Sequence, residues 1–256
     1  METKRFTDDK QIRRIWDIED IKSLMHRRVF LQTGDRRAQE LETMWVSRPD
    51  LQATASYGTN WGYYVGLDSI RKYYVDAHSR ELQAQKEHNG ARELNFGNLY
   101  AHPVSTGLVE LAEDGETAKG LWYSIGHEAK ASGDGTAEVR WMLGKIAVDF
   151  VREKDGWKIW HIVVSTDVDC QAGHDWGEYP VYEDWTAASS NPVRREFGTP
   201  DVEVLTHDVT FNWWDNYPPM PPKNYQSFSD EISYGPEGFR PPEVYGMHAG
   251  EGRNWK

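Results

Sequence analysis

His102, Tyr57, His161 and Lys145 are the side chains in this sequence best suited to chemistry without help. A histidine exchanges protons near neutral pH, and a positioned one speeds a proton transfer roughly 10²–10⁴-fold. His102 heads a strand-like stretch in Tyr100-Ala101-His102-Pro103-Val104, and His161 lies within another. The phenol of Tyr57 can donate a hydrogen bond to a departing hydroxyl, directly or through water. A buried ammonium at Lys145 can stabilise a phenolate or a developing oxyanion. Each residue also has a plainer role: a satisfied structural histidine, an aromatic packed in a core, or a surface lysine paired with Asp149.

Other chemistries find no purchase in the sequence. No His-x-x-x-His, His-x-His or spaced carboxylate cluster suggests a metal, and no glycine-rich loop suggests a nucleotide, so no cofactor is expected. Cys170 is the only cysteine, which leaves no partner for an intrachain disulfide. A formal charge of −12 disfavours nucleic acid, whose phosphates need clustered Lys and Arg. Neither a signal-like stretch nor a membrane-length apolar run is present, so no membrane partner and a cytoplasmic location are expected.

These residues must be positioned by elements whose periods can be read directly. Ile12, Ile15, Trp16, Ile18, Ile21, Leu24, Met25 and Val29 recur at helical spacing and predict a long helix ending near Gly34. A second helix is expected from about Arg36 to Met44, and a third opens at Leu67-Asp68-Ser69-Ile70, with Asp68 as its cap. From His102 the period changes to two. Stretches at 102–111, 117–130, 141–153 and 157–166, separated by Asp-Gly turns, predict a meander of long antiparallel strands. Helices first and strands after make an α+β layered domain. Alternation puts Trp157, Ile159, His161 and Val163 on one face, which sends His161 toward the interior. It sends Trp160, Ile162 and Val164 outward. Lys145 shares a face with Ala147 and Asp149, and a one-residue slip in register would invert its orientation. Past Asp167, prolines interrupt any regular element, yet Trp176, Trp185, Trp213, Trp214, Tyr225 and Phe228 make the segment too aromatic for a disordered tail. The expected division is a domain at 1–168 and an irregular C-terminal arm at 169–256, packed on that domain or on a neighbouring subunit.

Three stretches carry a resemblance: Asp17-Ile18-Glu19-Asp20-Ile21-Lys22-Ser23-Leu24, Tyr64-Val65-Gly66-Leu67-Asp68-Ser69-Ile70, and Gly144-Lys145-Ile146-Ala147-Val148-Asp149-Phe150 continued by Asp155-Gly156-Trp157-Lys158-Ile159-Trp160-His161. In that order and spacing the chain resembles the SnoaL-like branch of the nuclear-transport-factor-2-like superfamily over residues 12 to 168. The resemblance implies a cone in which helices pack on a strongly curved antiparallel sheet around a pocket. It narrows toward scytalone-dehydratase-like and diarylpropane-lyase-like enzymes, which act on phenolic compounds without metal or organic cofactor. By that resemblance His102 and Tyr57 are catalytic, with His161 and Lys145 as further candidates. Trp61, Tyr64, Trp122, Ser124, Arg28 and Phe30 are candidates for holding the substrate. The implied activity is acid–base elimination from a small aromatic compound, by dehydration or loss of formaldehyde through a quinone methide.

Two other readings fit the same cone. One is a binding module without converging titratable groups; the other is a polyketide cyclase or isomerase with Asp149 or Asp167 as base. An apolar outer sheet face around Trp160, Ile162 and Val164 would make the protein a homo-oligomer, dimer or trimer.

Overall fold

Apolar residues three and four positions apart make Asp9–Thr33 one helix, α1, which buries Ile21, Met25 and Arg28. The computed structural model of the chain describes residues 9–60, 62–90, 96–132, 134–173, 199–203 and 219–238. Trp61, Trp176, Trp185, Trp213 and Trp214 lie outside the described residues. Helix α2 (Arg37–Met44) and a short α3 (Pro49–Gln52) follow, then the hairpin β1 (Ser56–Thr59) and β2 (Gly62–Val65). The third helical region is longer than its first turn implies. It begins as α4 (Leu67–Ile70), widens into a π-helical stretch over Arg71–Ala77, and continues as α5 (His78–Asn89). Its N-cap is Gly66, and Asp68 lies in the first turn without capping it.

Six more strands complete one sheet: β3 (Leu99–Ala101), β4 (Val104–Leu111), β5 (Thr117–Ala131), β6 (Ala137–Glu153), β7 (Gly156–Gln171) and β8 (Val202–Glu203). The order is β3-β5-β6-β7-β1-β2-β8, with β4 paired on the same edge of β5 as β3. The long hairpins are antiparallel as their turns require, but β1 joins β7 in parallel, so the sheet is mixed. The helices close over one face. There Ile21, Met25, Leu41, Met44, Ile70, Tyr74 and Val75 meet Ile146, Val148, Phe150, Ile159 and Ile162 in a single core.

One extra residue decides which side chains reach that core. Asp149 pairs with His161 and Phe150 with Ile159, so β6 advances one residue while β7 advances two, and Trp160 is a bulge. Cross-strand partners share a face. Ile146, Val148 and Phe150 therefore line the inner face with Val164, Ile162 and Ile159, while Lys145, Ala147 and Asp149 stand on the outer face with Ser165, Val163 and His161. Strict alternation sent Ile162 and Val164 outward and His161 inward. The bulge reverses all three.

The outer face carries a buried polar cluster sealed by the described part of the C-terminal arm. Asp149 is fully buried and accepts hydrogen bonds from Lys119 Nζ, from His161 Nδ1 at 3.0 Å, from Ser233 Oγ at 3.3 Å and from the Tyr234 backbone N–H at 2.6 Å. Burial pushes this carboxyl's pKa up, but Lys119 and His161 pull harder, and it is held below the ordinary aspartate value. Lys119 also lies 3.6 Å from the centroid of the Tyr234 ring, and Phe228 packs on Trp160 at 4.7 Å. The backbone N–H groups of Glu113 and Asp114 donate to the carbonyls of Tyr225 and Gln226, fixing the strap's other end. Earlier in the arm, β8 extends the sheet beyond β2, and Asp201 accepts from Val65 N–H and Ser69 Oγ.

Removing one partner of a buried ionic cluster strands the others without solvation. Asp149→Ala should therefore lower unfolding free energy by about 3–5 kcal/mol, and Ser233→Ala by only about 1 kcal/mol, as read from urea denaturation of the full chain.

Candidate active site on the inner face of the cone

The site has a rim and a floor. At the rim, His102 and Pro103 bridge β3 and β4, which pair side by side with β5 through Ala101↔His127 and Val104↔Ser124. Proline offers no N–H to the ladder, so pairing lapses at this joint, and the His102 ring lies over β5 instead. It rests on Gly126, where an added Cβ would sit 2.6 Å from His102 Nδ1. Two residues along the same face, Glu128 Oε1 meets His102 Nε2 at 3.0 Å. Burial raises the Glu128 carboxyl, but the hydrogen bond and charge of His102 outweigh it, and its pKa is lowered overall. Glu128 is thus an ionised acceptor that fixes a proton on Nε2 and leaves Nδ1 to exchange the other.

The floor is built by α1, α2, β1 and the π-helical stretch. Arg28 is wholly buried and donates from Nε to Glu40 Oε1 at 2.9 Å. Glu40 also accepts from Tyr74 Oη at 2.6 Å and, more weakly, from Trp45 Nε1 at 3.5 Å. Burial opposes the charge on Arg28, but Glu40 more than restores it, and the guanidinium stays protonated. Its Nη1 and Nη2 complete no well-aligned hydrogen bond, although the guanidinium reaches the Tyr57 phenol by its charge and by a looser hydrogen bond. Burial raises the phenol pKa values of Tyr57, Tyr73 and Tyr74, so these remain O–H donors, with Arg28 and Arg37 offsetting part of the rise at Tyr57.

Stacked rings join floor to rim. Tyr57 packs at 5.0 Å on Tyr74, 5.7 Å on Tyr73 and 6.5 Å on Trp45, and Tyr73 stacks on Tyr64 at 3.9 Å and 7°. Arg37 stands 4.9 Å from the Tyr74 ring centroid and 5.9 Å from that of Tyr100, and its charge also reaches Glu128. The opposite wall is Trp122, set edge-on to Phe150 at 6.2 Å, with Ser124 next on the same face. Ser124 Oγ is buried and has no hydrogen-bond partner.

His102, Tyr57, Tyr64, Trp122, Ser124 and Arg28 therefore share the inner face, and three other candidates do not. His161 stands on the outer face because of the bulge at Trp160. Its Nδ1 meets both Asp149 and Ser233, at 3.0 and 3.2 Å, whereas a nucleophilic triad needs these on opposite ring nitrogens. Lys145 is also outward, and its carboxylate neighbour is Asp167 at 4.0 Å rather than Asp149, which Lys119 occupies. Phe30 follows Arg28 by two positions, about 200° around the helix, and is 78 % exposed. Trp61 lies outside the described residues, and neither Asp149 nor Asp167 faces the cone.

Sequence reasoning missed Glu128, Glu40, Tyr74 and Arg37. Gly126 followed two residues later by Glu128 is the trace that was present, but a register shift between Ser105 and Leu108 hides which residues of β5 oppose His102.

Two comparisons with known proteins bear on this arrangement. The family described as "SnoaL-like domain" matches residues 13–163. Among solved structures, one nuclear-transport-factor-2-like protein with a cystatin-like fold from Novosphingobium aromaticivorans is 17% identical, covers 68% of this chain and 96% of its own, and has a TM-score of 0.43. A candidate scytalone dehydratase from the same organism is 8% identical over 63% of this chain and 91% of its own, with a TM-score of 0.45. A candidate aromatic ring hydroxylase, also from that organism, is 17% identical over 62% and 94%, again at 0.45. No curated protein matches the chain. Among the described residues, no helix is long and apolar enough to cross a membrane.

The outward position of Asp167 has a measurable consequence. Burial raises its pKa to about 6, with Lys145 offsetting only part. A carboxyl whose folded pKa lies above its unfolded value stabilises the fold fully below the unfolded value and loses that contribution as pH rises through the folded one. Asp167→Asn should therefore match the parent below about pH 3 and exceed it by about 1–2 kcal/mol above pH 7, in denaturant melts run across that range.

Proposed function

The chain belongs to the family of SnoaL-like domains, and from that premise we propose that it is a lyase acting on a small phenolic compound by acid–base elimination through its own side chains. The observation that carries the reading is the His102–Glu128 pair, 3.0 Å apart at the rim of an inner face lined by aromatic and aliphatic side chains. An ionised partner on Nε2 lets His102 act in two states, as a base through Nδ1 when neutral and an acid when protonated.

The reaction follows from that pair and the neighbouring phenols. A benzylic hydroxyl accepts a proton from the protonated His102 and leaves as water. The para-hydroxyl of the ring gives up its proton to solvent, the Tyr57 O–H donates to the oxygen left behind, and the electron pair released closes a quinone methide. Neutral His102 then removes a proton from the neighbouring carbon, a carbon–carbon double bond forms, and the electrons return to the ring as a phenolate that regains its proton from solvent. On a substrate bearing a hydroxymethyl group there, the base takes its O–H proton instead. The carbon–carbon bond breaks, formaldehyde departs, and the same electrons restore the ring. Desolvation by the surrounding rings strengthens each polar contact in these steps.

Incubation with a panel of para-hydroxyphenyl carbinols and lignin-type dimers, followed by product analysis, tests the reading. His102→Ala should lower kcat by about 10²–10⁴-fold, Glu128→Gln and Tyr57→Phe by about 10–10²-fold each. Full turnover in the His102 and Tyr57 variants would defeat the assignment. Tight binding of the panel with no turnover by the parent chain would make the protein a binding module instead.

A further inference from the structure

The floor of the cone holds buried guanidinium donors that its carboxylates leave unanswered. Arg28 and Arg37 both flank the Tyr74 ring, at 6.0 and 4.9 Å. Glu40 serves Arg28 Nε and Tyr74 Oη, Glu128 serves His102, and Asp35 serves His78 Nε2 at 2.9 Å. Arg28 Nη1, Arg28 Nη2 and Arg37 Nε are buried donors with no acceptor. A buried N–H left without a partner is destabilising, more so when it is charged, and folded proteins rarely keep three together. The guanidinium of Arg28 is held from behind by Glu40, so its two terminal nitrogens are a fixed, forked pair of donors suited to one oxygen anion. Flat rings stand around that fork: Tyr57 beside it, then Tyr73, Tyr74 and Trp45.

We propose that Arg28, backed by Glu40 and assisted by Arg37, binds the oxygen of an aryl substrate as a phenolate, setting the ring among Tyr57, Tyr73 and Trp45 with its benzylic carbon toward His102. The inference rests on the phenolic reading above and sharpens it. The two ends of one substrate are divided between a cationic floor that holds the electron-releasing oxygen and a rim where His102 handles the leaving group. Arg28 is a binding residue in this scheme. Glu40 is a positioning residue that acts through it and also fixes the Tyr74 hydroxyl.

A chromophoric phenol reports the bound ionisation state without turnover. 4-Nitrophenol is titrated with the full-length protein at a pH where the free phenol is mostly protonated, beside 4-nitroanisole, which cannot ionise, and 4-nitrobenzoate, which offers a carboxylate. The expected result is growth of the phenolate absorption band on binding, and affinity for nitrophenol at least about 10-fold above nitroanisole. Arg28→Met should abolish the band and weaken binding about 10–100-fold. Arg28→Lys should recover part of the band, and His102→Ala should keep it. Nitroanisole binding as tightly as nitrophenol, a bound spectrum of the neutral phenol, or no binding at all overturns the proposal on the parent protein alone, whether or not the Arg28 variants fold. Nitrobenzoate displacing nitrophenol with equal affinity overturns the choice of phenolate over carboxylate. A phenolate band in a chain that turns over none of the panel leaves the binding site standing and removes the lyase. Turnover without the band does the reverse.

Discussion

The division of labour between the two faces of the sheet hangs on one unpaired residue in β7. Without the bulge at Trp160, cross-strand pairing would carry Asp149 and Phe150 opposite different partners, and the apolar set of one strand would oppose the polar set of the next. With it, Ile159 and Ile162 both reach the core although three positions separate them. His161 and Asp149 are left together on the far side. Everything described on either face presupposes this offset: an aromatic interior beneath the helices, and an ionic patch that the C-terminal strap must cover.

Each face then solves the problem of burying charge differently. On the outer face, Asp149 is compensated by two cationic or polar side chains from its own sheet and by two groups of the strap, so polar burial and chain docking are one event. On the inner face, Glu40 is filled by Arg28, Tyr74 and Trp45, but Arg28 is not filled in return. A finished network rigidifies; an unfinished one among buried rings defines what a ligand has to supply.

Much of the fold could be read from local periods. The helical stripe of α1, the change to period two after His102 and the Asp-Gly turns are consequences of nearest neighbours along the chain, and they give the layer order directly. The inner-face positions of Tyr57, Tyr64, Trp122 and Ser124 agree with pairing that turns impose on short hairpins. What could not be read is anything that depends on an extra residue or a distant partner. A bulge leaves no mark in a pattern of alternating residue types, so alternation sends His161 to the wrong face and leaves the face of Lys145 open. Glu40 meets Tyr74 across a separation of 34 residues and His102 meets Glu128 across 26, and neither carboxylate differs by composition from those on the surface. The parallel pairing of β1 with β7 joins segments about a hundred residues apart, and no turn chemistry announces it.

The strap over Asp149 also sets an order of events during synthesis. Its contacts span 84 and 85 residues, so β5, β6 and β7 are complete well before Ser233 and Tyr234 leave the ribosome. During that interval the nascent cone holds Lys119, Asp149 and His161 on an uncovered sheet face, hydrated rather than buried. Hydration makes the intermediate tolerable, since charged groups on an open face discourage sticking to other nascent chains better than bare aliphatic ones would. The same side chains that demand a cover in the finished protein thus guard the unfinished one until the cover arrives.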